Sequence, residues 1–181
     1  MGENLRSTRY SDGSVIANYS NYDNDPSNDE AYGKLYSWYS ANNVPEGDNN
    51  TPANSSVGFF GPYVQGVCPD GWALPNDADF MTLFNTAGVA DQLKEANSQY
   101  WLPGHDGTLP NTGFNARGAG FYDNNLDRYL NLLGETYFWT GDVSTTSVKG
   151  HCAVINYYCP ESLLQEQDKG RGQSVRCLRM Y

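Results

Sequence analysis

The side chains able to do chemistry in this chain are few, and their spacing does not favour catalysis. There are only two histidines, His105 and His151. Neither stands at metal-ligand or triad spacing from other chemistry-bearing residues, and no Cys-x-x-Cys, His-Glu-x-x-His or Gly-x-Ser-x-Gly sequence occurs. His105 precedes Asp106-Gly107 at a loop tip and would need a neighbouring nucleophile to act as a general base. None stands near it in sequence, so it reads as a hydrated loop histidine. Single carboxylates abound without an evident acid/base pair. The expectation is a protein that is not an enzyme and has no catalytic cofactor. The densest acidic run is Asp23-Asn24-Asp25-Pro26-Ser27-Asn28-Asp29-Glu30. Oxygen ligands at short spacing suit a hard cation, which makes Asp23, Asp25 and Asp29 calcium candidates. The run lacks the central glycine and terminal bidentate glutamate of an EF-hand loop, and a solvated turn capping the next element is the competing reading.

Composition narrows the partners. The chain has 181 residues and a formal net charge of −10, with lysines and arginines mostly scattered. That balance argues against nucleic acid as a partner. No apolar run approaches a membrane span. The length suits one domain over residues 1–181 with a substantial core. Cys152 and Cys159 would lie about 23 Å apart along one strand at ~3.3 Å per residue, too far to bridge each other there. They are expected to be free.

Local patterns say what must position these groups. Residues 68–84 form the organising stretch. Pro69-Asp70-Gly71 is turn chemistry. Trp72 and Leu74 alternate on an extended piece, and Asn76 caps a helix whose first turn carries Asp77 and Asp79. Phe80, Leu83 and Phe84 make its apolar stripe, and Gly88 ends it. Earlier in the chain, Tyr10, Tyr19 and Tyr22 read as inward anchors. Residues 32–39 read as a strand covered on both faces that runs into a turn of helix, and residues 41–66 as a long loop. Tyr137-Phe138-Trp139-Thr140 and residues 148–158 are strands, with Ala153 and Ile155 facing one way and Val154 the other. Residues 160–168 have poor strand propensity. Residues 172–178 are a last strand with Val175 and Cys177 inward.

The sequence Cys68-Pro69-Asp70-Gly71-Trp72-Ala73-Leu74-Pro75 before an acidic helix start resembles the Fibrobacter succinogenes major paralogous domain, common in Bacteroidetes surface proteins. Further blocks follow the family's order: Glu3-Asn4-Leu5-Arg6, Asn24-Asp25-Pro26, Tyr32-Gly33-Lys34-Leu35-Tyr36-Ser37-Trp38-Tyr39, Gly113-Phe114-Asn115-Ala116, Tyr137-Phe138-Trp139 and Gly172-Gln173-Ser174-Val175-Arg176-Cys177. The resemblance implies an α+β, C-type-lectin-like fold, with small twisted antiparallel sheets, one or two short helices and long loops. It implies that Cys68 and Cys177 lie close enough to bridge, and it would put the family's first strand before Met1. It carries no assigned activity.

The resemblance and the residues together suggest a non-catalytic extracellular or outer-membrane-surface binding domain. Its partner would be a glycan or protein, without nucleic acid or membrane insertion. The expected site is the exposed sheet face and loops of the C-terminal third: Trp139, Asp142, Ser144, His151, Asn156, Tyr158, Glu161 and Gln165. Sugar-binding C-type lectins hold calcium with a Trp-Asn-Asp triad in this region. Trp139-Thr140-Gly141-Asp142 lacks the amide and one acid, which argues against that mode. Three alternatives remain. One is a retroelement-diversified protein whose variable residues lie just before the C-terminus. Another is a pilus or surface structural module. The third is an oxidase of the formylglycine-generating type using Cys152 and Cys159.

Overall fold

In chain order the elements are β1 (Tyr19–Ser20), α1 (Asn28–Tyr32), β2 (Leu35–Tyr36), α2 (Trp38–Asn42), β3 (Ser55–Gly58), β4 (Gly61–Val64), β5 (Trp72–Ala73), α3 (Asp77–Ala87), β6 (Ala119–Asp123), β7 (Arg128–Leu132), β8 (Glu135–Val143), β9 (Lys149–Asn156), β10 (Leu163–Asp168) and β11 (Leu178–Arg179). The structure is a computed structural model that describes residues 1–47, 55–58, 61–96, 99–108, 112–143, 148–159 and 163–180. It is a mixed α+β arrangement of short helices and small sheets. The largest sheet has five strands in the order β10-β9-β8-β6-β7, antiparallel except for the β6–β8 pair. Three two-stranded sheets, β1-β2, β5-β11 and β3-β4, surround it.

The middle of the large sheet is covered on both faces. Along β8, Tyr137 and Trp139 enter one core and Phe138 enters another. Along β9, Cys152 and Val154 follow the first, Ala153 and Ile155 the second. This is the period-two alternation of a strand spent on two apolar layers. The first core gathers Tyr36, Trp38, Leu74, Val175 and the Cys68–Cys177 pair. The second is built on α3 and the segment after it, through Phe80, Ala87, Leu93 and Trp101. Trp38 lies so close to β9 that a Cβ on Gly150 would overlap its indole.

The helix α3 forms where its caps dictate. Asn76 Oδ1 accepts the Asp79 N–H and Asp79 Oδ2 accepts the Asn76 N–H, each at 2.9 Å, closing a capping box. Gly88, at φ +76°, donates its N–H to the Phe84 carbonyl and ends the helix. The disulfide expected from the family resemblance is present: Cys68 and Cys177 are bonded across 109 residues, with Cα atoms 5.9 Å apart. It stands beside the β5–β11 pair, where Trp72 faces Arg179 and Ala73 faces Leu178. The N-terminus joins the same region, its ammonium donating to the Cys177 carbonyl at 2.9 Å.

Several expectations need correction. Residues 163–168 do form a strand, in register with β9 from Leu163↔Val154 to Asp168↔Lys149. Pairing with a strand already fixed in the core outweighs weak intrinsic propensity, and an edge position leaves polar side chains in water. Residues 32–39 are not one strand but the end of α1, the two-residue β2 and the start of α2, with Ser37 Oγ capping α2 at the Ser40 N–H. Within residues 41–66 lie the end of α2 and the β3–β4 hairpin. Residues 172–174 make only isolated bridges, although Val175 and Cys177 are buried as expected.

In the chain-entropy model a bridge closing a loop this long contributes roughly 4–5 kcal/mol. A Cys68→Ala/Cys177→Ala variant should therefore lose about that much unfolding free energy, read as a large drop in urea midpoint. An unchanged midpoint would contradict the pairing's structural role.

Candidate functional site

A cleft of about 600 Å³ opens between two walls of tyrosine. One wall is the β1–β2 pair, in which Tyr19 stands opposite Tyr36 and Ser20 opposite Leu35. The other is the β6–β7 hairpin, where Tyr122 and Tyr129 are register partners. Between them runs the segment from Gly170. The Gly172 N–H and carbonyl pair with the carbonyl and N–H of Tyr122 at 3.0 and 2.9 Å, while Gln173 pairs in the same reciprocal way with Tyr36 at 2.9 and 2.8 Å. The floor is thereby stitched to both walls. A Cβ on Gly172 would come 3.0 Å from Tyr122 Cβ and 3.3 Å from Leu35 Cβ, so glycine leaves the floor open.

The walls are held in place by polar partners. Tyr122 and Tyr129 ring centroids are 5.1 Å apart, and Tyr22 backs Tyr129 at 5.3 Å. The Tyr122 hydroxyl donates to Asp127 Oδ1 at 2.6 Å, and the Tyr129 hydroxyl donates to Asn24 Oδ1 at 2.8 Å. Asn24 and Asp127 both adopt left-handed backbone, φ +54° and +50°, which short polar residues tolerate. The hydrogen bond to Asp127 pushes the Tyr122 phenol above its usual pKa. Tyr19 is 37% exposed, a correction to its expected inward role. Lys34 Nζ lies 5.2 Å from its ring centroid.

The expected binding residues of the C-terminal third do not form one face. Trp139 is 0% exposed, its indole N–H donating to the Tyr36 carbonyl at 2.8 Å. Asn156 is buried, and its Oδ1 accepts the Cys159 N–H where β9 ends. Both are taken inward because β8 and β9 are central strands. Tyr158 is 63% exposed, and Gln165 is partly buried beside Gln167. Ser144 and Glu161 lie outside the described residues. Asp142 and His151 do come together, beside two residues the sequence did not nominate. His151 Nδ1 is 2.6 Å from Asp77 Oδ2, His151 Nε2 is 3.4 Å from Glu166 Oε1, and Asp142 Oδ2 accepts the Asp77 N–H at 2.6 Å. This group ties the start of α3 to β8, β9 and β10.

The three calcium candidates are dispersed. Asp29 Oδ1 is 3.0 Å from Lys34 Nζ, Asp25 Oδ1 accepts the Ser27 N–H at 2.9 Å, and Asp23 is exposed. Among the described residues, no three His, Cys, Asp or Glu side chains are placed to hold a metal ion. Cys152 and Cys159 are both free.

The family model for the Fibrobacter succinogenes major domain matches residues 1–179. The chain belongs to that family. No curated protein and no solved structure matches it. In this Fibrobacter succinogenes major domain, the residues that carried the resemblance are largely scaffold: Tyr36, Trp38, Cys68, Phe138, Trp139 and Cys177 are all buried. Of the cleft, Asn24, Leu35, Ser37 and Gly172 belong to those blocks. Tyr19, Tyr122 and Tyr129 lie outside them. Sequence reading missed the cleft because Tyr19 and Tyr122, on its two walls, are more than a hundred residues apart; the local signal was one tyrosine on each side of a polar turn, at 122 and 129.

Burial pushes the Asp142 carboxyl above its usual range, an effect opposed by the Asp77 N–H, reinforced by the Asp77 carboxylate and countered by His151. A raised acid favours folding while protonated. Its contribution is complete below about pH 4 and is lost as pH rises through the raised value. Asp142→Asn keeps the acceptor for Asp77 but does not ionise. The variant should match wild type near pH 3 and be the more stable of the two near pH 7, read by thermal melts across that range. A variant weaker only at neutral pH would contradict this.

Proposed function

We propose that this Fibrobacter succinogenes major domain is a non-catalytic, extracellular binding module with a C-type-lectin-like fold, and that the tyrosine-walled cleft receives its ligand, a glycan or a protein. The observation that carries the reading is the cleft itself: solvent-open, polar and ringed by Tyr19, Tyr122 and Tyr129 on a floor cleared by Gly172. Its size falls in the range typical of ligand pockets. Aromatic rings with polar tips supply large, stiff contact area at small entropic cost. The central sheet supports this reading by exclusion, since its middle strands have both faces occupied and cannot present a binding surface.

The extracellular part of the reading is supported by the Cys68–Cys177 disulfide, a bond that persists in oxidising compartments. Among the described residues no helix is long and apolar enough to cross a membrane.

The test is a comparison of wild type, Tyr129→Ala and Tyr158→Ala on immobilised glycans and extracellular proteins, with melts to establish that each is folded. Tyr129→Ala should weaken binding about tenfold or more, a loss of ~1.4 kcal/mol or greater, while Tyr158→Ala binds as wild type. Equal binding by all three would move the site elsewhere.

A further inference from the structure

We infer that the ligand of the cleft is an uncharged oligosaccharide, bound through its hydroxyls and ring faces without a metal ion. This rests on the reading of the cleft as the binding site and adds the chemical class of what it binds.

Charge comes first. Among the described residues no lysine or arginine lines the cleft, whereas Glu46 and Asp127 do. Of the cations near it, Lys34 is engaged with Asn21 and Asp29, and Arg171 with Asp123 and Gln167. A uronate, sialylated, sulfated or phosphorylated ligand would meet like charge on a lining that carries two carboxylates and no cation of its own. The two lining carboxylates are also committed separately. Asp127 accepts from Tyr122, and Glu46 Oε2 accepts from the Asn18 amide at 3.0 Å. They do not form a cation cage.

Hydrogen-bond polarity comes second. Both wall phenols spend their single proton inside the protein, Tyr122 on Asp127 and Tyr129 on Asn24. Each phenol oxygen therefore keeps acceptor capacity but no proton to offer a ligand. A ligand rich in O–H donors satisfies that demand. The amide of Asn124 and the hydroxyl of Ser20, also on the lining, can donate or accept. This mixture matches groups that are themselves donor and acceptor, as sugar hydroxyls are. The three rings supply apolar faces for the C–H side of a pyranose, and the two floor residues on the lining, Gly170 and Gly172, carry no side chain to block an extended chain, while Arg171 between them is held by Asp123 and Gln167.

The experiment is titration calorimetry with neutral oligosaccharides (cello-, manno-, chito- and galacto-series) against oligogalacturonide and sialyllactose, each with calcium and with chelator. Wild type should bind at least one neutral series, with affinity unchanged within twofold by chelator and at least tenfold above the acidic sugars. Tyr129→Ala should lose about tenfold and Tyr129→Phe markedly less. A preference for the acidic sugars, loss of binding with chelator, or no binding to any neutral series would overturn the inference. If no sugar binds but Tyr129→Ala abolishes capture of a defined protein ligand, the cleft reading stands and the oligosaccharide falls. If sugars bind equally to wild type and Tyr129→Ala, both fall.

Discussion

Everything in this structure is arranged around one constraint: the β8–β9 pair has apolar neighbours on both faces. Tyr137, Trp139, Cys152 and Val154 point into one layer, Phe138, Ala153 and Ile155 into the other. A strand pair used in this way has no free face, so any ligand must be met at the rim of the sheet. At the β10 edge the rim carries polar side chains and the His151–Asp77–Glu166 contacts. At the other end the β6–β7 hairpin carries Tyr122 and Tyr129, and there the N-terminal β1–β2 pair comes alongside to make a cleft. The disulfide serves the same constraint. By joining residues 68 and 177 it holds the helical unit and the last segment against the first layer.

How much of this could be read from the sequence depended on how local the signal was. The α3 caps were legible because Asn76, Asp79 and Gly88 sit within the stretch they terminate. The alternation of β9 was legible for the same reason. The disulfide came from the order of the family blocks, since spacing alone leaves cysteine connectivity open. Residues 163–168 were misread because Leu-Leu-Gln-Glu-Gln-Asp has little preference for extended structure; its conformation comes from β9. Trp139 was nominated for a ligand because aromatic residues serve both cores and sites, and nothing local distinguishes the two. The cleft was invisible for a different reason. Asn24 and Tyr129, which hold one wall, are 105 residues apart in sequence.

The division between scaffold and site follows from these placements. The blocks that relate this chain to its family place bulky residues in two cores and a glycine under the cleft. The rings that line the cleft stand outside the blocks, on a hairpin and on a two-residue strand. Such a design lets a fixed frame carry different wall residues, because changing a partly exposed tyrosine costs far less than changing a buried tryptophan. It also explains why a search for catalytic spacing finds little: the side chains with chemistry to offer are used as ties, His151 between Asp77 and Glu166, Arg171 on Asp123, Lys34 on Asp29.

The most direct test of the central claim is nuclear magnetic resonance of protein labelled on its tyrosine rings, titrated with the tightest-binding oligosaccharide. The account predicts saturable shifts of the Tyr19, Tyr122 and Tyr129 ring signals, with Tyr157 and Tyr158 unmoved. Shifts confined to Tyr157 and Tyr158, near the end of β9, would contradict it and return the site to the C-terminal third of the chain.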